Sequence, residues 1–443
     1  MNPITVIIGL GKTGLSCAQF LSQQNCQFTV IDSRENPPEY AQFKKQFPKI
    51  PIYLGSFNPS IISTADRLIV SPGVSIHDSS ILEAQKIGIP ILGDIELFAH
   101  YAKAPIIAIT GSNGKSTVTL LVDAMVRNAN KQVLTGGNLG VPALTLLEGS
   151  TPDFYVLELS SFQLETTHTL KPESSCILNI SPDHMDRYSN IESYIEAKLR
   201  IYQNAKTIVV NKDDPYLSSF SYSHSHCIQF TLNHPRFSEY GIQEQNNQIW
   251  FAKGNKLILP VEQLSIKGRH NWANALAALA LGESVGLPQS AMITALQEFQ
   301  GLSHRCQKVA CINRVDWFND SKGTNVGATL AALEGLPCHG KIILIAGGIG
   351  KGADFRPLYK PLAARAKALI LMGRDAYQLA TDLTDSTPIY QVSNMTEAVN
   401  TAYDLASSED CVLLSPACAS FDMFSGFEAR GEAFIQAIQA IQP

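Results

Sequence analysis

The segment that most restricts how this chain can fold is Gly111-Ser112-Asn113-Gly114-Lys115-Ser116-Thr117. It follows the apolar run Ile106–Thr110 and precedes Val118, Leu121, Val122, Met125 and Val126 at helical spacing. A strand, a glycine loop and a helix in immediate succession belong to a parallel α/β unit. Glycines in such a loop let backbone N–H groups close around phosphate oxygens at a helix N-terminus. The Lys115 ammonium would offset β- and γ-phosphate charge, and the Ser116 hydroxyl can ligate Mg²⁺. Gly111, Ser112, Asn113, Gly114, Lys115, Ser116 and Thr117 are therefore candidate ATP-binding residues. Only Ser112 and Asn113 separate the glycines, whereas the general phosphate loop has four residues there.

A chain of 443 residues is too long for one ordinary core and suggests about three domains. Short β-branched runs at 5–8, 28–31 and 68–70 alternate with amphipathic stretches. The alternation restarts at 105–110 and continues through 155–159, 176–180 and 207–210; a last series runs through 315–318, 342–346, 368–372 and 412–414 to a helix at 428–441. The expected fold is α/β: three domains, each a mainly parallel sheet with flanking helices. They are Rossmann-like at residues 1–94, phosphate-loop ATPase-like at 95–302, and Rossmann-like at 303–443. A small β insertion or edge hairpins are expected over 222–265, and an alanine-rich helix over 271–282.

Lys and Arg number 34 against 39 Asp and Glu, a formal charge of -5, so no basic surplus points to nucleic acid. The start MNPITVIIGLGKTG has no basic leader and breaks its apolar run at Gly9, so a cytoplasmic protein without membrane insertion is expected. The expected partners are small molecules, with the chain acting as a monomer. Nine scattered cysteines without a CxxC pair argue against a disulfide framework or zinc site, and most should be buried thiols.

Glu158 closes a predicted strand and is a candidate Mg²⁺ ligand; a strand-end carboxylate can also simply be solvated. Asp183-His184-Met185-Asp186-Arg187-Tyr188 puts an imidazole and two carboxylates on a loop at the same sheet edge, and Lys198 follows on a helix. A lone loop histidine is usually structural, but these neighbours make it a candidate. Near the N-terminus, Gly9-Leu-Gly11-Lys-Thr-Gly14 and Asp32-Ser33-Arg34 form a weak dinucleotide fingerprint. A dehydrogenase would use Asp32 on a ribose, yet about 94 residues are too few for two mononucleotide halves.

The ordered blocks GSNGKST, GGNLG, LELSSFQLE, DHMDRY, EAKLRIY, GRHNWANALAALAL, HR, NDSKGTN and SPACASFDMF run nearly end to end and resemble the Mur ligase family. The resemblance implies that the three domains bind a UDP-sugar, ATP and an incoming amino acid. It implies that ATP phosphorylates a terminal carboxylate, and that the acyl phosphate is then attacked by an amino group. By resemblance, one Mg²⁺ takes Ser116 and Glu158, and a second takes His184 and a carbamate on Lys198. Lys115, His184 and Lys198 are thus the expected catalytic residues. Asn274, Arg305, Asp320 and Lys322 match nucleotide contacts; Gly11, Thr13, Asp32, Ser33, Arg34, Ser71, Gly73 and Asn138 match UDP-substrate contacts. The helix after Gly14 would receive the pyrophosphate. Lys351, Thr324, Ser420 and the Phe427 backbone match a pocket for D-glutamate, whose second carboxylate needs cationic and hydroxyl donors. The implied reaction adds D-glutamate to UDP-N-acetylmuramoyl-L-alanine. A sister ligase acting on L-alanine or folate and a non-catalytic nucleotide sensor are the competing readings.

Overall fold

The computed structural model describes residues 4–219 and 226–441. Three sheets lie within residues 5–92, 106–260 and 307–414. The first has five parallel strands in the order Ile52–Leu54, Phe28–Asp32, Thr5–Ile8, Arg67–Val70, Ile91–Leu92. Its central strands are apolar on both faces, as a sheet covered by helices on both sides requires.

The second sheet has nine strands, with Ile106–Thr110 between Ser174–Ile177 and Phe154–Glu158. The glycine loop therefore leaves the sheet from an interior strand, third from one edge. The expected β insertion proves to be the edge of this same sheet. Cys227–Phe230 pairs parallel with Thr207–Asn211, and Tyr240–Gln245, Gln248–Lys253 and Lys256–Pro260 follow as an antiparallel meander. Its expected start at Tyr222 lies outside the described residues. The alanine-rich helix spans Arg269–Ser284, and its small side chains let it bury against the helix Lys115–Asn128 and this sheet.

The third sheet has six strands, parallel except for the hairpin Gln307–Ile312 with Val315–Asn319. The helix Phe427–Ile441 closes it.

Two sequence expectations are corrected. The strand expected over 176–180 ends at Ile177, because Asn179 turns its side chain to the glycine loop. The first helix begins at Lys12, before Gly14. Gly14 sits inside that helix where a Cβ would lie 1.9 Å from the Gly9 carbonyl oxygen, so glycine permits close helix–strand packing rather than marking the helix start. All nine cysteines are free thiols; Cys17, Cys176, Cys411 and Cys418 are buried, Cys311 is exposed and the others are half-buried, fewer buried than expected. Among the described residues no helix is long and apolar enough to cross a membrane.

Candidate active site

The loop Gly111–Gly114 joins a fully buried strand to a helix whose inner face, Val118, Leu121, Val122, Met125 and Val126, is buried. Gly114 has φ +81, and a Cβ there would come within 2.4 Å of Asn274 Oδ1, so both conformation and space select glycine. The loop is held from behind. Ser112 N donates to Asn179 O at 2.9 Å and Asn113 N to Asn179 Oδ1 at 2.8 Å. Lys115 Nζ donates to the loop carbonyls of Gly111 (2.8 Å) and Ser112 (3.0 Å), so the ammonium is curled back over the glycine loop. Burial lowers its pKa, opposed by Glu158 and Asp183.

Glu158 ends the neighbouring strand with one carboxylate oxygen accepting from Asn138 Nδ2 at 2.6 Å. The other is buried without a hydrogen-bond partner. A buried carboxylate oxygen lacking a donor is costly unless a cation or water meets it. Ser116 Oγ accepts from Arg305 Nη2 at 2.9 Å, bringing a third-sheet guanidinium onto the helix that carries the phosphate loop.

Lys198 lies in the helix Ile191–Leu199 and is fully buried. Its Nζ donates to Gly111 O at 3.0 Å and Thr110 Oγ1 at 3.3 Å, and lies 4.7 Å from the Tyr194 ring centroid. Burial and then Lys115 push its pKa well below the ordinary lysine value. None of the ion pairs found among the described residues involves Lys198, so the pairing with Asp183, Asp186 or Glu196 that spacing alone permits is not formed.

His184 takes a left-handed φ of +58 and meets Phe162 edge-on, ring centroids 4.8 Å apart. Burial, reinforced by Lys351, Lys115 and Lys198 against the pull of Asp183, lowers its pKa to about 4. It is a neutral imidazole at physiological pH, as a metal ligand must be. Burial alone would raise the Asp183 pKa, but His184, Lys351, Asn325 and Lys115 together hold it low.

These groups share one cavity of about 270 Å³, lined by Lys115, Asn138, Glu158, His184, Lys198 and Lys351 among others, with Thr324 at its rim. A second cavity of about 380 Å³ begins at Asn113 and Gly114 and runs between the second and third sheets. Asn274, Arg305, Asp320 and Lys322 line it. Asp320 accepts from Ser415 Oγ at 2.7 Å and the Cys306 backbone at 3.2 Å; burial lifts its pKa to about 6, against those donors and Arg305. Lys322 sits 3.7 Å from the Phe427 ring centroid, and burial followed by Arg305 lowers its pKa to about 8.

Other expected residues are placed differently. Asn138 lies against Glu158 in the central cavity rather than with the first sheet. The Asp32 carboxylate is engaged by two turns: Leu10 N, after the strand Thr5–Ile8, donates to it at 2.7 Å and Arg34 binds it through Nε (2.8 Å) and Nη2 (2.7 Å). Burial would raise its pKa, but these donors leave it lowered. These bonds make Asp32 a brace between the turns at Leu10 and Arg34. Ser71 Oγ donates to Gly9 O at 2.8 Å, while Gly11 and Gly73 face open space and Thr13, Ser33 and Arg34 are accessible. Ser420 is buried and, with Phe427, does not line the central cavity.

Sequence reasoning left Tyr194, Asn325 and Arg187 without roles. Tyr194 OH lies 3.0 Å from Ser112 Oγ. Asn325 Nδ2 donates to Asp183 Oδ2 (3.0 Å) and Asn113 Oδ1 (3.2 Å). Asn325 and Arg187 sit inside blocks already singled out, NDSKGTN and DHMDRY, and Tyr194 lies two residues before EAKLRIY; that placement was the available signal.

The Mur ligase middle domain profile matches residues 109–282, the Mur ligase MurD-like N-terminal domain residues 4–93, and the Mur ligase glutamate ligase domain residues 304–418. The UDP-N-acetylmuramoylalanine--D-glutamate ligase of Nitrosococcus oceani is 57% identical over 437 residues, 99% of this chain and 96% of that one. Its namesake in Pseudomonas aeruginosa is 48% identical, covering 98% of both chains. Among solved structures, the UDP-N-acetylmuramate-alanine ligase of Thermotoga maritima aligns over 100% of both chains with TM-score 0.62 and 19% identity, a likeness of fold. The three domain matches follow one another along the chain, and with 57% identity to a relative over 99% of its length the chain belongs to the Mur ligase family.

Proposed function

We propose that this chain is an ATP-dependent ligase that joins D-glutamate to UDP-N-acetylmuramoyl-L-alanine in peptidoglycan precursor synthesis, releasing ADP and phosphate. The carrying observation is the single cavity in which Lys115, Glu158, His184 and Lys198 meet Lys351 and Thr324. In this reading residues 1–94 bind the UDP-sugar, 95–302 bind ATP, and 303–443 bind the amino acid, within a cytoplasmic monomer.

The chemistry opposes two anions: a substrate carboxylate must reach the γ-phosphorus. Its oxygen attacks phosphorus, ADP leaves, and an acyl phosphate forms. The amine of D-glutamate then attacks the acyl carbon, loses a proton, and phosphate leaves with an amide formed. Gly111, Ser112, Asn113, Gly114 and Thr117 cradle the phosphates, and Lys115 and Arg305 bring fixed positive charge to them, so little reorganisation is needed when charge shifts. Asn274, Asp320 and Lys322 hold the nucleotide's other end. Lys351 and Thr324 donate to the γ-carboxylate of D-glutamate, with Ser420 and the Phe427 backbone reaching that pocket as the third-sheet loops close. Gly11, Thr13, Ser33, Arg34, Ser71 and Gly73 receive the uridine diphosphate, Asp32 keeping their loop in shape. Asn138 fixes Glu158 while facing the same substrate.

The donor set fits magnesium. The unpartnered Glu158 oxygen and Ser116 Oγ are hard ligands, His184 is neutral, and phosphates and water would complete the shells, since Mg²⁺ retains water and takes few protein ligands. Glu158 and Ser116 would hold one ion, and His184 with Lys198 the second. When bound, the ions screen the approach of carboxylate to phosphate. Lys198 would serve as a carbamate. Its buried amine is shifted toward the neutral form, which adds to CO₂ through a new N–C bond with loss of a proton, turning a repelling cation into an oxygen ligand.

The test is phosphate release from ATP in the presence of UDP-N-acetylmuramoyl-L-alanine, with D-glutamate, L-glutamate and L-alanine in parallel. Release that depends on D-glutamate is expected; equal turnover with L-alanine would overturn the assignment. Native mass spectrometry of the protein in bicarbonate should show one added carbon dioxide, lost in Lys198→Ala. An unmodified Lys198 in active enzyme would remove the carbamate.

A further inference from the structure

Arg187 belongs to the DHMDRY block but has no part in the chemistry above. Its side chain is only 15% exposed, and its contacts cross between two domains. Nη1 donates to Pro72 O at 2.7 Å and Nη2 to Val74 O at 2.9 Å, both on the loop that follows the first-sheet strand Arg67–Val70. Nη2 also pairs with Glu165 at 3.2 Å, and the guanidinium lies over the Phe162 ring, 4.1 Å from its centroid. That ring is the one against which His184 packs. The backbone completes the link, because Arg187 N donates to His184 O at 2.9 Å.

The loop on the far side is equally tied. Val74 N donates to Ser71 O at 2.9 Å, and Ser71 Oγ donates to the Gly9 carbonyl at 2.8 Å. A continuous chain of contacts thus runs from the first glycine loop through Ser71 and the Pro72 and Val74 carbonyls to Arg187 and His184. One planar guanidinium with several fixed donors can hold both carbonyls, Glu165 and a ring face together; an ammonium cannot match that geometry.

We propose that Arg187 is a positioning residue that sets the distance between the Ser71–Val74 loop and His184, and so places the far end of a substrate held on the first sheet against the reacting phosphate. The inference rests on the function proposed above. A substrate anchored at its nucleotide end reaches the chemistry only if the two domains keep a fixed register, and misplacement near 1 Å can cost about 100-fold in rate. Arg187 touches neither reacting atoms nor the glycine loop of the ATP site.

The test compares wild type with Arg187→Lys and Arg187→Met. Arg187→Met is expected to lower kcat/KM for UDP-N-acetylmuramoyl-L-alanine by about 100-fold while KM for ATP stays within about twofold, and Arg187→Lys to recover part of the loss. Hydrogen exchange read without turnover provides the second arm. Amides of the 71–76 segment should exchange faster in Arg187→Met, with amides of the helix Lys115–Asn128 unchanged. Equal losses for every substrate, or unaltered exchange at 71–76, would overturn the proposal. Failure of the wild type to use D-glutamate would instead remove the functional reading, and the exchange arm would still decide whether Arg187 ties the loop.

Discussion

The junction between the first and second sheets and the junction between the second and third are built from different materials. Across the first, one apolar cluster runs without a break from Ile7, Phe20 and Phe98 to Leu144, Tyr155 and Leu164. Polar groups there are sealed in: Gln163 Nε2 donates to Asp94 at 3.1 Å, and Glu96 accepts from the backbones of His168 (2.6 Å) and Thr169 (2.9 Å). Across the second, the apolar clusters of the third sheet stay within it; the helix Val326–Gly335 lies against Arg269–Ser284, and the other contacts are polar side chains around two cavities: Arg305 to Ser116, Asn325 to Asn113 and Asp183, and Lys351 to Asp183. Breaking the first junction would expose a large apolar area, at roughly 25 cal/mol per Å². The second exchanges hydrogen bonds for water at little net cost. The first two sheets therefore make one frame, and on the function proposed above the third would part from it to admit nucleotide and amino acid and close again.

Arg305 offers the sharpest way to break this contrast. Arg305→Met keeps the length of the side chain but removes the charge that crosses the second junction. Loss of one preorganised donor to a developing charge costs about 10²–10³-fold in kcat. Turnover should fall by that amount with the urea midpoint unchanged. A large loss of stability in this variant would mean that the second junction also holds the fold together.

The next effect belongs to the first junction. Burial raises the Asp94 carboxyl to about 6, against the pull of Gln163 and neighbouring amides, while an unfolded aspartate titrates near 3.9. A carboxyl with a raised folded pKa contributes stability in full below about pH 4, and that contribution is lost as pH rises through about 6. Asp94→Asn keeps an acceptor for Gln163 without titrating. The variant should gain about 3 kcal/mol over wild type between pH 4 and 7.5, read from urea unfolding at both values. Parallel pH curves for the two proteins would show that Asp94 is not sealed in the frame. Asp320 is raised to the same value at the second junction, where parting the sheets would hydrate it, so its titration should register in nucleotide binding instead.

How much of this was readable in advance follows the same division. Local patterns identified the strands and the glycine loop with its helix, because period and glycine spacing act over a few residues. Glu158 and His184 stood out by their place at the sheet edge, the carbamate on Lys198 and the pairing of ligands came from resemblance, and the structure brings all three to one cavity. Nothing in the sequence position of Asp32 reveals that Leu10 and Arg34 donate to its oxygens. Asn179, which ends its strand early to brace Asn113, and Arg187, which reaches Pro72 from 115 residues away, are contacts of tertiary structure with no local signature.

Asn325 supplies the smallest and most discriminating effect. Its Oδ1 caps the helix Val326–Gly335 by accepting from Ala328 N at 2.8 Å, while its Nδ2 spans the second junction to Asp183 and Asn113. Asn325→Asp preserves the cap, since aspartate is as good at that position. It removes the donor and sets a carboxylate about 3 Å from Asp183, whose pKa is held low so that it is charged. The new repulsion acts only when the sheets are together. If closure becomes about 1.4 kcal/mol harder, the competent fraction falls and apparent affinity for nucleotide and D-glutamate drops about 10-fold. Stability should change by less than about 0.5 kcal/mol, because the frame is untouched. Asp183 and Asn325 are both largely buried, and salt screens such charges weakly, so raising ionic strength should recover little of the lost affinity. KM for both ligands at low and high salt, beside a urea curve, reads all three quantities. Unchanged KM would show that Asn325 does not report closure, and a destabilisation of about 2 kcal/mol or more would place the second junction among the contacts that hold the fold.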